Sequence, residues 1–178
     1  MQFKATFMDK DAVMRTLRRM SHEIIEKNKG CEDLCLIGIL TRGVELAGII
    51  AENIKMFEGV DVNVGVLDIS LHRDDIPTAS NVVKPSGTKI DFDINGKKIV
   101  LVDDVLFTAR TARAAMDALI SLGRPSKIQL AVLVDRGHRE LPICANFIGK
   151  NLPTSRSEMI KVSVDKYDGK TQVDLYTK

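Results

Sequence analysis

An α/β fold with a central, mostly parallel sheet flanked by helices is what this sequence predicts, and three observations carry the prediction. The run Ile99-Val100-Leu101-Val102 is apolar without a break, the pattern of a strand buried on both faces. A short polar loop follows, then an Ala-rich helical run at 112–122 that Gly123 and Pro125 close. The same order of apolar strand, short loop and helix stands upstream at 34–56, and a further apolar strand at 128–134 stands downstream. No heptad, repeat or low-complexity tract interrupts the 178 residues, which read as one domain, 1–178, long enough for a sizeable core.

In chain order, Asp9 or Asp11 is positioned to cap a first helix that runs to about Asn28 and stops at Gly30. Val13, Leu17, Met20 and Ile24 share one face of it, a core stripe. Arg15, Arg18, Arg19 and His22 share the opposite face, with Lys29 close to the same line and only Glu26 interrupting. Such a row is either a solvated surface or a set of phosphate contacts. The strand at 34–40 runs into Thr41-Arg42-Gly43, where rigid backbone amides and a cation suit a pyrophosphate, and a helix at 44–56 follows. A strand is expected at 60–69. From 70 to 97 the chain turns polar, as a lid or a disordered loop does, with Val82-Val83 and Ile90 to Ile94 as a hairpin at its base. Arg73 is either a lid-borne phosphate contact or a passive exposed arginine. Strand 128–134 ends at Asp135-Arg136-Gly137-His138-Arg139; a strand at 160–164 and an edge strand at 173–176 complete the reading.

Composition excludes more than it identifies. At 44% hydrophobic and 28% charged residues, the chain has the make-up of a soluble globular protein, and no apolar run is long enough to span a membrane. The opening Met1-Gln2-Phe3-Lys4 does not begin a secretory signal. Cys31, Cys35 and Cys144 are odd in number and lack a zinc spacing, so reduced thiols and a cytoplasmic location are expected. A net charge of +2 does not by itself announce nucleic acid.

Asp103 and Asp104 stand where the 99–102 strand is expected to end, beside the amino end of the 112–122 helix. The carboxyl end of such a strand is where open α/β sheets bind ligands. A helix amino end suits a phosphate, and paired carboxylates suit a polyol or a metal. A sugar phosphate satisfies both; the bland alternative is a loop start and a helix cap.

The stretch Asp103, Asp104, Val105, Leu106, Phe107, Thr108, Ala109, Arg110, Thr111 resembles the phosphoribosyl-pyrophosphate (PRPP) signature of the type I phosphoribosyltransferases, with Ala109 where the pattern usually has glycine. Further resemblance spans nearly the whole chain. It includes Leu67-Asp68-Ile69, the run from Ile128 through Asp135-Arg136-Gly137-His138-Arg139-Glu140-Leu141-Pro142, Ile148-Gly149-Lys150-Asn151 and Pro153-Thr154-Ser155. It points to the branch of the family that joins uracil phosphoribosyltransferase activity to RNA-binding attenuation of pyrimidine genes. The resemblance implies the type I phosphoribosyltransferase fold with a flexible lid loop, a homo-oligomer of dimers or higher order, and conversion of uracil and PRPP to UMP and pyrophosphate. Asp103 and Asp104 would hold the ribose hydroxyls; residues 108–111 would seat the 5′-phosphate; Thr41 and Arg42 would take the pyrophosphate, in a loop that often carries a non-proline cis peptide. Arg136 and the backbone near Ile160 would neighbour pyrophosphate and uracil. Mg²⁺ would be held mainly through PRPP. The RNA partner, a leader mRNA stem-loop bound more tightly with UMP as effector, would meet Arg19, His22, Lys27, Arg139 and Lys150, with Arg18 as an added contact where relatives often have Thr. Cys144 stands where they often have Arg. Two other functions compete: a UMP-sensing regulator with a weakened active site, which Ala109 favours, and a salvage enzyme for another base without RNA binding.

Overall fold

A computed structural model describes residues 1–70, 72 and 87–177. The elements are β1 (Gln2–Met8), α1 (Lys10–Asn28), β2 (Leu34–Ile39), α2 (Arg42–Glu58), β3 (Asn63–Leu67), β4 (Lys98–Leu106), α3 (Arg110–Leu122), β5 (Lys127–Asp135), β6 (Phe147–Asn151), β7 (Glu158–Ser163), α4 (Asp165–Asp168) and β8 (Gln172–Thr177). Strands β3-β2-β4-β5-β6 form a five-stranded sheet whose pairs are all parallel, and β1-β8-β7 form a three-stranded antiparallel one.

Alternation along the buried strands sorts the core into two layers. Leu36, Val100, Val102 and Ala131 face Leu17, Met20 and Ile24 of α1 and Leu46 and Ile50 of α2. Ile37, Ile99, Leu101 and Val132 face the buried alanines of α3 (Ala112, Ala114, Ala115, Ala118). Small side chains let that helix lie close to the sheet. Ile160, Val162 and Val173 of the small sheet join the α1–α2 layer, so both sheets share one core.

Asp9 caps α1, its carboxylate accepting from the Ala12 amide at 2.8 Å. The helix ends one residue before the expected Gly30, at Lys29 in the left-handed region (φ 56°), and the Lys29 and Gly30 amides donate to Glu26 and Ile25. The strand expected at 60–69 pairs only over β3. In place of a hairpin at 90–94, a single antiparallel bridge joins Lys89 to Val66; Val82-Val83 lies outside the described residues. Segment 173–176, expected at an edge, is the centre of the small sheet, because β1 pairs along its other side. The Asp pair does not end its strand either. β4 continues to Leu106 because Asp103, Val105 and Leu106 stay paired with Val132, Val134 and Asp135 of β5.

That overrun positions the site. The last β2–β4 pair is Gly38 with Val102, so among the described residues β4 beyond Val102 has a strand on its β5 side only. The chain leaves β2 outward through α2 to β3 and leaves β4 the other way through α3 to β5, which opens a crevice between the two βα turns. The amino end of α2 fills the β2 side. Gly43 lies so close to β4 that an added Cβ would be 2.3 Å from the Val102 carbonyl oxygen. Gly43→Ala therefore forces backbone apart, and urea denaturation is expected to show a loss of about 1–3 kcal/mol.

Candidate active site

Asp103 and Asp104 lie half-buried on the β4 overrun. The Asp104 amide donates to Asp103 Oδ1 at 2.9 Å, and the Val105 amide donates to Asp104 Oδ1 at 2.8 Å. Burial raises the Asp104 pKa above the ordinary carboxylate value; the Val105 amide and the positive charge of Arg42 act against that rise. Val105 is half-buried and Leu106 is buried in the α3-side core.

The loop after β4 has its carbonyls turned to one side. Leu106 O accepts the Arg136 amide at 3.1 Å, Phe107 O accepts Arg139 Nη1 at 2.9 Å, and Thr108 O accepts the amides of Glu140 and Leu141 at 3.1 and 3.3 Å. Thr108 Oγ1 accepts the Arg110 amide at 3.4 Å. Ala109 is the N-cap of α3 with φ 73° and ψ 8°, and its methyl packs among Leu106 and Ala112. The positive φ that a glycine would adopt freely is thus present on an alanine, but the methyl faces the core. The first-turn amides of α3, Thr111 included, have no acceptor within the helix, the arrangement that suits an anion.

Across the crevice, the Leu40–Thr41 peptide is cis, as the resemblance implies, and Thr41 makes no side-chain cap on α2. Arg42 is not idle: its Nη2 and Nε donate to Asp168 Oδ1 and Oδ2 at 2.8 and 3.1 Å. The bidentate contact holds the Asp168 carboxyl below its ordinary pKa and raises that of Arg42, which also feels Asp104. Asp168 accepts the Val164 amide at 3.0 Å, and the Lys166 amide donates to Glu45 at 3.1 Å, so the short helix α4 is docked on the amino end of α2. Sequence reasoning missed Asp168. Its only local signal is an Asp in a short polar turn.

Two expected contact residues are held by hydrogen bonds within the chain. Arg136 is 5% exposed; its Nε donates to Thr154 Oγ1 at 2.9 Å, its Nη2 to the carbonyls of Ser155 and Glu158 at 3.2 and 2.8 Å, and its guanidinium covers the Phe107 ring at 4.1 Å. It fixes the 154–158 loop against Phe107, because Thr154 Oγ1 and the Ser155 and Glu158 carbonyls accept from its guanidinium. Arg139, expected on the RNA face, bonds the carbonyls of Ile143, Phe107 and Gly137 and the Asp135 carboxylate. Its fork is spent on folding the loop. Ile160 is 7% exposed within β7, its side chain in the core.

The other basic residues do gather on α1. Arg18, Arg19, His22 and Lys27 are exposed, as is Lys150 on β6. Arg19 pairs with Glu23 and donates to the carbonyls of Gly149 and Ile148 at 2.5 and 3.2 Å, which draws α1 against β6. With Arg15, Thr16 and Lys150 it lines one depression. Arg73 lies outside the described residues.

Residues 6–166 match the phosphoribosyl transferase domain. The chain belongs to this family. It is 58% identical to the bifunctional protein PyrR of Thermus aquaticus over 178 residues, covering 100% of this chain and 98% of that one. It is 54% identical to the bifunctional protein PyrR of Clostridium perfringens over 176 residues, 99% of each. Within the phosphoribosyl transferases it groups with these PyrR proteins. Among solved structures it resembles the hypoxanthine phosphoribosyltransferase of Trypanosoma cruzi (TM-score 0.74, 15% identity, 98% and 97% covered). It also resembles a hypoxanthine-guanine phosphoribosyltransferase of Bacillus anthracis (TM-score 0.70, 17% identity, 98% of each). At such identities the likeness is one of fold, including the five-stranded parallel sheet between helices.

The raised pKa of Asp104 has a measurable consequence. Folding favours its protonated form, a contribution complete below the ordinary carboxylate range and lost as pH rises through the raised value. Above the ordinary carboxylate range the folded chain accommodates this carboxyl less favourably than the unfolded chain does. Asp104→Asn is therefore expected to melt at a higher temperature than the wild type at pH 7, with the gap closing toward roughly pH 3, as followed by circular dichroism.

Proposed function

We propose that this chain transfers the ribose 5-phosphate of PRPP to uracil, giving UMP and pyrophosphate, and that with UMP bound it holds a leader mRNA stem-loop of pyrimidine genes and attenuates their transcription. One observation carries the enzymatic half: the Asp103–Asp104 pair lies between the amide-lined loop before α3 and Arg42 at the head of α2. In this reading the amides and hydroxyls of Thr108 to Thr111 seat the 5′-phosphate, and Thr41 and Arg42 take the pyrophosphate. Asp103 and Asp104 hold the ribose hydroxyls and face the positive charge that develops at C1′ as its bond to pyrophosphate breaks. The bond to uracil N1 then forms, with loss of the N1 proton. Positioning and electrostatics suffice, and no nucleophilic side chain is needed.

Among the described residues no group of three or more His, Cys, Asp or Glu offers a metal cage. A pair of carboxylates fits Mg²⁺ bound mainly through PRPP oxygens, since that ion commonly takes one or two carboxylates beside substrate phosphates. When bound it would neutralise charge on the departing pyrophosphate. Uracil lies in this reading near Arg136 and Ile160, with Arg73 as a further phosphate contact.

The RNA half rests on Arg18, Arg19, His22, Lys27 and Lys150, with Arg139 acting through the loop it folds. UMP control requires that the UMP-bound form bind RNA more tightly than the free form. The reading is of a single domain, which the shared core supports, acting as a homo-oligomer in the cytoplasm. Among the described residues no helix is long and apolar enough to cross a membrane.

The left-handed Ala109 favours a second reading, a UMP sensor with weak turnover, because that conformation costs a non-glycine residue about 1 kcal/mol or more. Conversion of labelled uracil to UMP with PRPP and Mg²⁺ tests both. Turnover by the wild type that falls about 100-fold or more in Asp104→Asn is expected; no turnover with UMP still bound would leave the sensor. Because the Ala109 methyl faces the core and the amide is retained, Ala109→Gly is expected to change kcat/KM by less than about tenfold. A larger gain would show that the alanine has weakened the enzyme.

A further inference from the structure

A groove of about 380 Å³ runs between α1 and α2, away from the crevice, lined by Asp11, Met14, Arg15, Arg18, Asn53 and Met56. Its volume lies within the range of small-ligand sites, about 300–1,000 Å³. Beside it the exposed His22 imidazole lies flat on the Phe57 ring, with centroids 3.8 Å and planes 13° apart. Arg18 belongs to both features: its guanidinium carbon is 5.6 Å from the Phe57 centroid, and its Nη2 is 3.3 Å from Met56 Sδ. Arg15, Arg18 and His22 have no carboxylate partner among the described residues; Asp11 is the acidic group that lines the groove. Asn53 is only 9% exposed, and its Nδ2 is buried without a hydrogen-bond partner among the described residues. A buried amide left unpaired is costly, and a ligand edge is one way to satisfy it.

We propose that this groove receives one unpaired base of the bound RNA. The base stacks on the His22–Phe57 pair, turns a hydrogen-bonding edge toward Asn53, and sets its flanking phosphates on Arg15 and Arg18. The proposal deepens the RNA reading given above and rests on it. The chemistry is that of single-stranded recognition, in which splayed bases stack on aromatic or histidine rings and are read along their exposed edges. It also gives Arg18 a task that an isolated surface arginine lacks, since the residue spans the stack and the phosphate side.

The test is binding of a pyrimidine-leader stem-loop, with UMP present, by the wild type and by Phe57→Leu, which keeps an apolar side chain and removes the ring. A melting curve of each protein confirms folding. Each unpaired loop base is replaced in turn by an abasic site. Phe57→Leu is expected to bind the intact RNA about 5- to 150-fold more weakly, the range for loss of one base stack. At one loop position the abasic RNA should weaken the wild type by a similar factor and weaken Phe57→Leu no further. Equal binding of intact RNA by the two proteins, or additive losses at every position, would overturn the groove and leave the RNA reading standing. Competition by free AMP in the wild type but not in Phe57→Leu would assign the groove to a mononucleotide and overturn it too. A wild type that binds no stem-loop, yet converts uracil, would remove the RNA reading itself.

Discussion

The Val102 carbonyl oxygen leaves no room for a side chain at Gly43, and that closeness of α2 to β4 sets the rest of the crevice. It brings Arg42, the residue just before it, within electrostatic reach of Asp104. Two opposed effects then act on one carboxylate. Burial makes its charge expensive, and Arg42 returns only part of that cost, so the pKa stays raised. A carboxylate left under-neutralised in a desolvated place responds strongly to an arriving positive charge, because the attraction is not diluted by water. In the proposed reaction, a ribosyl centre gaining positive charge is such an arrival. Full neutralisation by a closer arginine would lower the pKa and weaken that response.

The opposite wall is organised by what its carbonyls are given to bond. Leu106, Phe107 and Thr108 all direct their carbonyl oxygens to donors in the segment from Arg136 to Leu141. With the acceptors drawn off, what the loop and the α3 terminus present to the crevice is dominated by amide donors, the polarity a phosphate requires. The Asp135-Arg136-Gly137-His138-Arg139-Glu140 run thereby serves the site without its arginine side chains having to enter it. Asp135 completes the arrangement by accepting from Arg139 and from the Gly137 amide.

Much of this was legible in the sequence, for physical reasons that also mark where legibility stopped. Residues 99–102 and the Ala-rich run after them declare a buried strand and a close-packed helix through composition alone. The Asp pair and the Thr-Ala-Arg-Thr loop are contiguous, so their juxtaposition with a helix terminus follows from chain order. The place of β8 at the centre of its sheet depends instead on Gln2–Met8, a strand exposed along most of its length whose pattern does not announce it. Arg136 and Arg139 carry the same charge in sequence whether they meet a ligand or a carbonyl. Apart from the local Asp135 and Gly137, their acceptors lie at 107, 143 and 154–158, and only the folded chain reveals them. Asp168 meets Arg42 across 126 positions, beyond any local pattern.

α2 joins the two halves of the proposed function in one rigid piece. It carries Arg42 at its amino end and Phe57 near its carboxyl end, about 22 Å apart at 1.5 Å per residue. Lying between two sites does not by itself couple them. What distinguishes α2 is that Arg42 is already held by Asp168, and an anion arriving in the crevice competes with Asp168 for the same guanidinium. In the proposed function, a nucleotide that drew Arg42 away would loosen α4 from the head of α2, where the Lys166–Glu45 contact also holds it. A ligand that fills the crevice without engaging Arg42 leaves that contact as it was. Differential affinity, the requirement for UMP control, thus has a named contact on which to act.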